Sequence, residues 1–120
     1  MVLKVDRIQK NNTSIKDIIF VPYRDFYFVI NIKEIIYIKA EKSYCKIVLK
    51  CRREYLIISS MRMILKKLPD NFIRTHNSYI VNMFYAATVH GGSLIKLNNN
   101  AEIPISRRRR KVIFDSIVTV

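Results

Sequence analysis

The sequence predicts a single, mainly β domain of about ten short strands with one or two short helices. Three observations lead there. The chain has 120 residues, half of them apolar and 26% charged, which is enough for one core and too short for two domains. Brief runs rich in Ile, Val, Tyr and Phe recur from Ile18 onward, separated by polar residues, Gly or Pro. The apolar spacing shifts clearly from period two to about 3.6 in only one place, Met61 to Leu68.

Residues 1–17 are polar and read as a tether, and residues 18–117 as the domain. Ile18 to Val21, Phe26 to Ile30 and Ile35 to Lys39 read as strands, and the aromatics Tyr23, Phe26, Tyr27 and Phe28 are expected in the core. Tyr44 to Cys51 alternates most cleanly, with Cys45, Ile47, Leu49 and Cys51 on an inner face and Lys46, Val48 and Lys50 on the other. After a strand at Tyr55 to Ile58, Met61, Ile64, Leu65 and Leu68 form one stripe of a short helix, capped by Ser60 and stopped by Pro69. Gly91-Gly92 and the Asn98 to Asn100 run signal two hairpin turns, so the strands around them read as a meander. Ser106 precedes a second short helix with Ile113, Phe114 and Ile117 on one face.

No apolar run approaches the roughly 18 residues of a membrane span, and Met1 to Lys10 alternate charge with aliphatics, unlike a signal peptide. Cys45 and Cys51 fall in one extended stretch, which separates their Cα atoms by about 20 Å. That is too far for a disulfide, so both read as free thiols in a reducing cytoplasm.

The charge is far from balanced. Twenty-two Lys and Arg (22) face 9 Asp and Glu, a formal net charge of +13. Such a chain repels itself unless an anion binds it, which points to nucleic acid, an anionic membrane or an acidic protein. The excess is clustered. Between Glu41 and Glu54 every charge is positive (Lys42, Lys46, Lys50, Arg52, Arg53), and between Asp70 and Asp115 Glu102 alone is acidic. Arg107 to Arg110 would occupy the first turn of the second helix, where the macrodipole disfavours each cation by about 0.3 to 1 kcal/mol. Stability alone would not select that placement, whereas a phosphate would find guanidinium groups and free backbone amides together. Strand-borne cations beside Tyr and Asn also suit an RNA binder, but no ring-rich stacking segment is present. Composition and spacing therefore describe a basic polyanion binder, with duplex DNA ahead of RNA and of a basic protein- or membrane-surface domain.

No catalytic site emerges. Cys45, His76 and Asn77 resemble a Cys-His-Asn set by residue type, yet neighbouring His76 and Asn77 would point to opposite faces of a strand and Cys45 lies on an apolar one. Cys45, Cys51, His76 and His90 lack the short paired spacing of a zinc site. A Gly-rich phosphate cradle and clustered carboxylates are also missing, so neither cofactor nor metal is expected.

The segment Phe72 to Asn82, FIRTHNSYIVN, resembles the central signature of LytTR-type DNA-binding domains, the output modules of bacterial response regulators such as the accessory gene regulator. Glu34 to Ile38 with Ala40 to Tyr44, Tyr55 to Leu68, and Ile103 to Arg107 resemble further family segments in the same order. The resemblance implies an elongated antiparallel fold of short strands in small sheets, whose loops enter successive major grooves. It also implies base contacts by three positions, which fall here on Cys45 (or its neighbour Tyr44), Asn77 and Arg107. Cysteine is a poor base reader, and alternation turns Cys45 inward, leaving that loop to Lys42, Ser43 or Lys46. Asn77 can pair bidentately with adenine and Arg107 with guanine. Lys42, Ser43, Lys46, Arg74, His76, Arg108 and Arg109 are expected to contact phosphate or to position the readers, although His76 also suits a structural hydrogen bond and Arg74 a pair with Asp70. Asn82 is expected to tie down a turn. Expected partners are double-stranded DNA, a second copy on an adjacent direct repeat, and either a regulatory protein or a receiver domain outside this chain.

Overall fold

The computed structural model describes residues 14–120. Among the described residues, ten strands form three antiparallel sheets. β1 (Ile18–Tyr23) and β2 (Phe26–Asn31) make a hairpin. β3 (Ile35–Glu41), β4 (Tyr44–Leu49), β5 (Glu54–Ile57), β6 (Phe72–His76) and β7 (Tyr79–Asn82) form the central sheet in the order β5-β4-β3-β7-β6. β8 (Ala86–His90), β9 (Leu94–Leu97) and β10 (Glu102–Pro104) form a meander. Helix α1 (Met61–Leu65) joins β5 to β6, and α2 (Arg107–Ser116) follows β10. The molecule is elongated, 46 × 34 × 24 Å.

The central sheet is covered on both faces. Ile35, Ile38, Cys45, Ile47 and Ile80 pack with the β1–β2 hairpin and α1, while Ile36 and Val81 pack with Ile95, Leu97, Ile103 and Ile113 of the meander and α2. An irregularity in β3 between Ile35 and Tyr37 breaks the alternation, so that Ile36 and Ile38, two residues apart, face different cores. Val48, assigned by alternation to an outer face, is also buried.

Two expectations are corrected. Of the hairpin aromatics only Phe28 is half-buried, its ring 4.8 Å from Tyr55, whereas Tyr23, Phe26 and Tyr27 are exposed. Alternation sends Phe20, Tyr27 and Val29 to the outer face of this two-stranded sheet, while Tyr23 and Phe26 share the face of Phe28 but pair at the hairpin turn, where they remain exposed. Cys51 is exposed because β4 ends at Leu49 and Cys51 lies in the following turn; it and Cys45 are free thiols. The expected tether falls largely outside the described residues, and Ile15–Asp17 is a 3-10 turn with a capping box from Ser14.

Local chemistry sets several junctions. Ser60 Oγ accepts from Met63 N and caps α1. Asn31 and Asn82 each cap a 3-10 turn, at Ile32–Glu34 and Met83–Tyr85, by accepting from the backbone two residues on. Asn82 does more. Only 1% exposed, it also accepts from Asn71 Nδ2 at 2.8 Å and donates to Ile35 O at 2.9 Å, tying β7 to the start of β3. Asn82→Ala strands the Ile35 carbonyl and the Asn71 amide, and is expected to lower unfolding free energy by about 2 kcal/mol in urea titration, whereas a loss below about 0.5 kcal/mol would show that water replaces these bonds.

Candidate nucleic-acid interface

Three segments meet at one end of the central sheet. Antiparallel pairing sets Lys39 of β3 opposite Tyr79 of β7, so the β3–β4 turn at Lys42-Ser43 and the β6–β7 turn at Asn77-Ser78 leave the same end. Ala40 N donates to Ser78 O at 2.9 Å and fastens one beside the other. The third segment arrives from β10, where Ser106 N donates to Thr75 O at 2.8 Å and places the start of α2 against the end of β6.

Guanidinium groups gather on Asn77. Arg74 Nη2 donates to Asn77 O at 2.7 Å, while Arg108 Nη2 and Arg109 Nη2 donate to Asn77 Oδ1 at 3.1 and 3.3 Å. Among the described residues no carboxylate forms an ion pair with Arg74, Arg107, Arg108 or Arg109. Burial first, and then the neighbouring charges of Arg74 and Arg108, push the Arg109 guanidinium below its ordinary pKa. Four buried polar atoms without a hydrogen-bond partner lie in the same cluster of residues: Arg74 Nε, Thr75 Oγ1, Ser106 Oγ and Arg109 Nε. Ser106 occupies the N-cap position of α2, but its hydroxyl makes no capping bond. Uncapped, rich in arginine and without an acid in its first turn, this helix start is arranged for an anion at the expense of its own stability.

The expected residues are not all assembled. Asn77, Arg107, Arg108, Lys42 and Ser43 are exposed, Arg74, Arg109, His76 and Tyr44 are half-buried, and Lys42 stands at a positive φ of 55° at its turn. Lys46 is committed elsewhere. Its ammonium sits 3.1 Å from Glu41 and 3.8 Å from Glu54, and the Glu41 hydrogen bond raises its pKa. Cys45, one of the positions at which the resemblance implies a base contact, faces inward: it is 2% exposed and its thiol contacts Ser59 O and Met61 Sδ at 3.1 and 3.5 Å. His76 Nδ1 accepts from Ser78 N at 3.0 Å, so its ring shapes the β6–β7 turn. Arg74 pairs with the Asn77 carbonyl and not with Asp70. Arg110 leaves the cluster, donating through Nε to Gly92 O at 2.9 Å. The sequence did not single out Thr75, which is wholly buried beside Arg74 and whose carbonyl receives Ser106 N.

A β-scaffold that presents two turns and a helix start, with arginines unmatched by acids, defines a module for engaging a polyanion through loops. Residues 25–117 match the family model for the LytTr DNA-binding domain, and the chain belongs to that family; it is a DNA-binding domain. A solved structure described as the LytTr DNA-binding domain of a response regulator from Bacillus cereus shares the fold, with a TM-score of 0.72, 18% identity, and coverage of 82% of this chain and 94% of that one. No curated protein matches. No described helix is long and apolar enough to cross a membrane.

The thiols offer a check on the packing at this end. Burial pushes the Cys45 thiol up in pKa, against an opposing pull from the Arg74 charge, while Cys51 is exposed. A raised pKa leaves less thiolate at a given pH, so Cys45 reacts more slowly at neutral and mildly alkaline pH. With a thiol-reactive dye at pH 8, one thiol should label quickly and a Cys51→Ser variant should lose that phase. A fast phase surviving in Cys51→Ser would mean that Cys45 reaches the surface.

Proposed function

We propose that this chain is the sequence-specific, double-stranded DNA-binding unit of a bacterial transcription regulator and performs no chemistry of its own. The observation that carries this reading is the group of arginines without acidic partners around Asn77, beside the exposed Lys42 turn. Two turns and a helix start on one end of a sheet give a row of projections suited to major grooves, with Asn77 and Arg107 reading bases and Lys42, Arg74, Arg108 and Arg109 meeting phosphates. Lys46 drops out of the phosphate set because its charge is held by Glu41 and Glu54. Paired direct repeats, each carrying one copy, are the arrangement that the family membership suggests, with regulation supplied by a receiver domain or partner outside this chain.

RNA binding by base stacking is disfavoured by the placement of the rings. The exposed Tyr23 and Phe26 lie around Phe28, which packs at a tilt against Tyr55 of edge strand β5, while the arginines gather at β6, the opposite edge strand. The exposed hairpin rings and the arginine cluster therefore do not form one platform.

Neutralising about four phosphates gives a log-log salt slope near −3.6, so affinity for duplex should fall roughly 150-fold between 50 and 200 mM salt. A flat response, or displacement of duplex by structured RNA at equal concentration, would remove the proposal. Arg107→Ala is expected to cost about 1 to 3 kcal/mol on a selected site and clearly less on random duplex. Equal losses on both would make Arg107 a phosphate contact.

A further inference from the structure

The side chain of Asn77 is held by one end only. Its Oδ1 accepts from two guanidinium groups, Arg108 Nη2 at 3.1 Å and Arg109 Nη2 at 3.3 Å, which accounts for both lone pairs of an amide oxygen. Its Nδ2 has no partner among the described residues, and Asn77 is exposed. The flipped amide would set an NH2 donor against two cationic donors, so hydrogen-bond polarity selects the observed orientation. The backbone beneath is fastened as well, through Arg74 Nη2 to Asn77 O and Ala40 N to Ser78 O.

We infer that Arg108 and Arg109 are positioning residues that fix Asn77 as a hydrogen-bond donor alone, so that it reads an acceptor on the major-groove edge of the duplex. This inference rests on the proposed base-reading role of the β6–β7 turn, and it revises the pairing expected from the sequence. A bidentate amide–adenine pair needs the amide oxygen to accept from the adenine 6-amino group. Here that oxygen is engaged by two charge-assisted bonds, which a neutral amino donor does not readily displace. The remaining target is N7 or O6 of a purine, or O4 of thymine. The other nitrogens of the two arginines can still meet phosphate while each Nη2 keeps its bond to Asn77. The amide is also ordered before DNA arrives, so less side-chain entropy is lost on binding. Base choice at this position is thus set partly by two side chains that need touch no base.

The test uses the full chain and a duplex selected from a random library. Single bases are replaced by analogues that delete one major-groove atom: 7-deazapurines and bases lacking O6 or O4 remove acceptors, and adenine or cytosine analogues lacking the exocyclic amino group remove donors. The analogue whose penalty disappears in Asn77→Ala identifies the atom that Asn77 reads. An acceptor deletion is expected, costing wild type about tenfold and Asn77→Ala less than about twofold. Arg108→Ala and Arg109→Ala should each weaken the selected duplex several-fold more than random duplex and shrink the same penalty. If the atom identified is an amino group, if no penalty depends on Asn77, or if the arginine variants weaken both duplexes equally, this inference is overturned while DNA binding stands. If wild type binds no duplex, the underlying functional reading fails and the inference with it. Because Asn77 and Arg108 are exposed, their Ala variants should keep the urea unfolding midpoint of wild type, so that the comparison is between folded proteins.

Discussion

The antiparallel pairing of β3 with β7 is the constraint on which the rest of the molecule depends. It joins a hairpin from the first half of the chain, β3–β4, to one from the second, β6–β7, and its register sends both turns out of the same end of the sheet. Because β3 and β7 are the inner strands of that sheet, their side chains face both cores. Ile38 and Ile80 lie on one side and Ile36 and Val81 on the other, each almost wholly buried. A slip of one residue would exchange the two sets and carry the turns apart. The positions of Lys42 and Asn77 are thus secured by hydrophobic packing well behind them, and neither residue has to contribute to folding.

Electrostatics follows from that arrangement. Among the described residues the arginines around Asn77 have no acidic partner: Glu41, at the end of β3 beside the Lys42 turn, pairs with Lys39 and Lys46, and the other paired carboxylates are Asp17 with Lys33, Glu54 with Lys46 and Asp115 with Lys111. A guanidinium close to others of its kind is destabilising until an anion arrives. Burial first, and then the charges of Arg74 and Arg108, lower the pKa of Arg109. The free protein partly relieves the repulsion with neutral acceptors, the backbone and side-chain oxygens of Asn77. One amide therefore serves both as the hub of the cationic cluster and as a group presented to solvent.

Much of this could be read from the sequence, for identifiable reasons. Period-two runs with β-branched residues gave the strands, Ser60 marked the start of α1, which ends at Leu65 and not at the expected Pro69, and Gly91-Gly92 with Asn100 marked turns that need positive φ. What could not be read depends on which faces are covered. The hairpin aromatics have the composition of a core, but a two-stranded sheet offers the core a single face, and no local pattern says which side chains lose. Lys46 and Arg74 look equally available as cations. Only the register β3–β4–β5, which brings Glu41 and Glu54 to Lys46, separates the neutralised one from the one without an acidic partner. At Cys45 the alternation pattern was the better guide, since the thiol lies inward as period two requires.

That division bears on how such a surface can change its preferences. The groups facing solvent at the sheet end are tied to the scaffold mainly through backbone bonds, Ala40 to Ser78 and Ser106 to Thr75, which do not depend on the side chains displayed. Substitutions at Lys42, Ser43, Asn77 or Arg107 therefore leave the framework intact, and most of their effect falls on recognition. Arg108 and Arg109 stand between these classes, because each contributes charge toward the ligand and orients a neighbour. A change at either alters affinity and base preference together, so the two properties of this surface are physically coupled through a single amide oxygen.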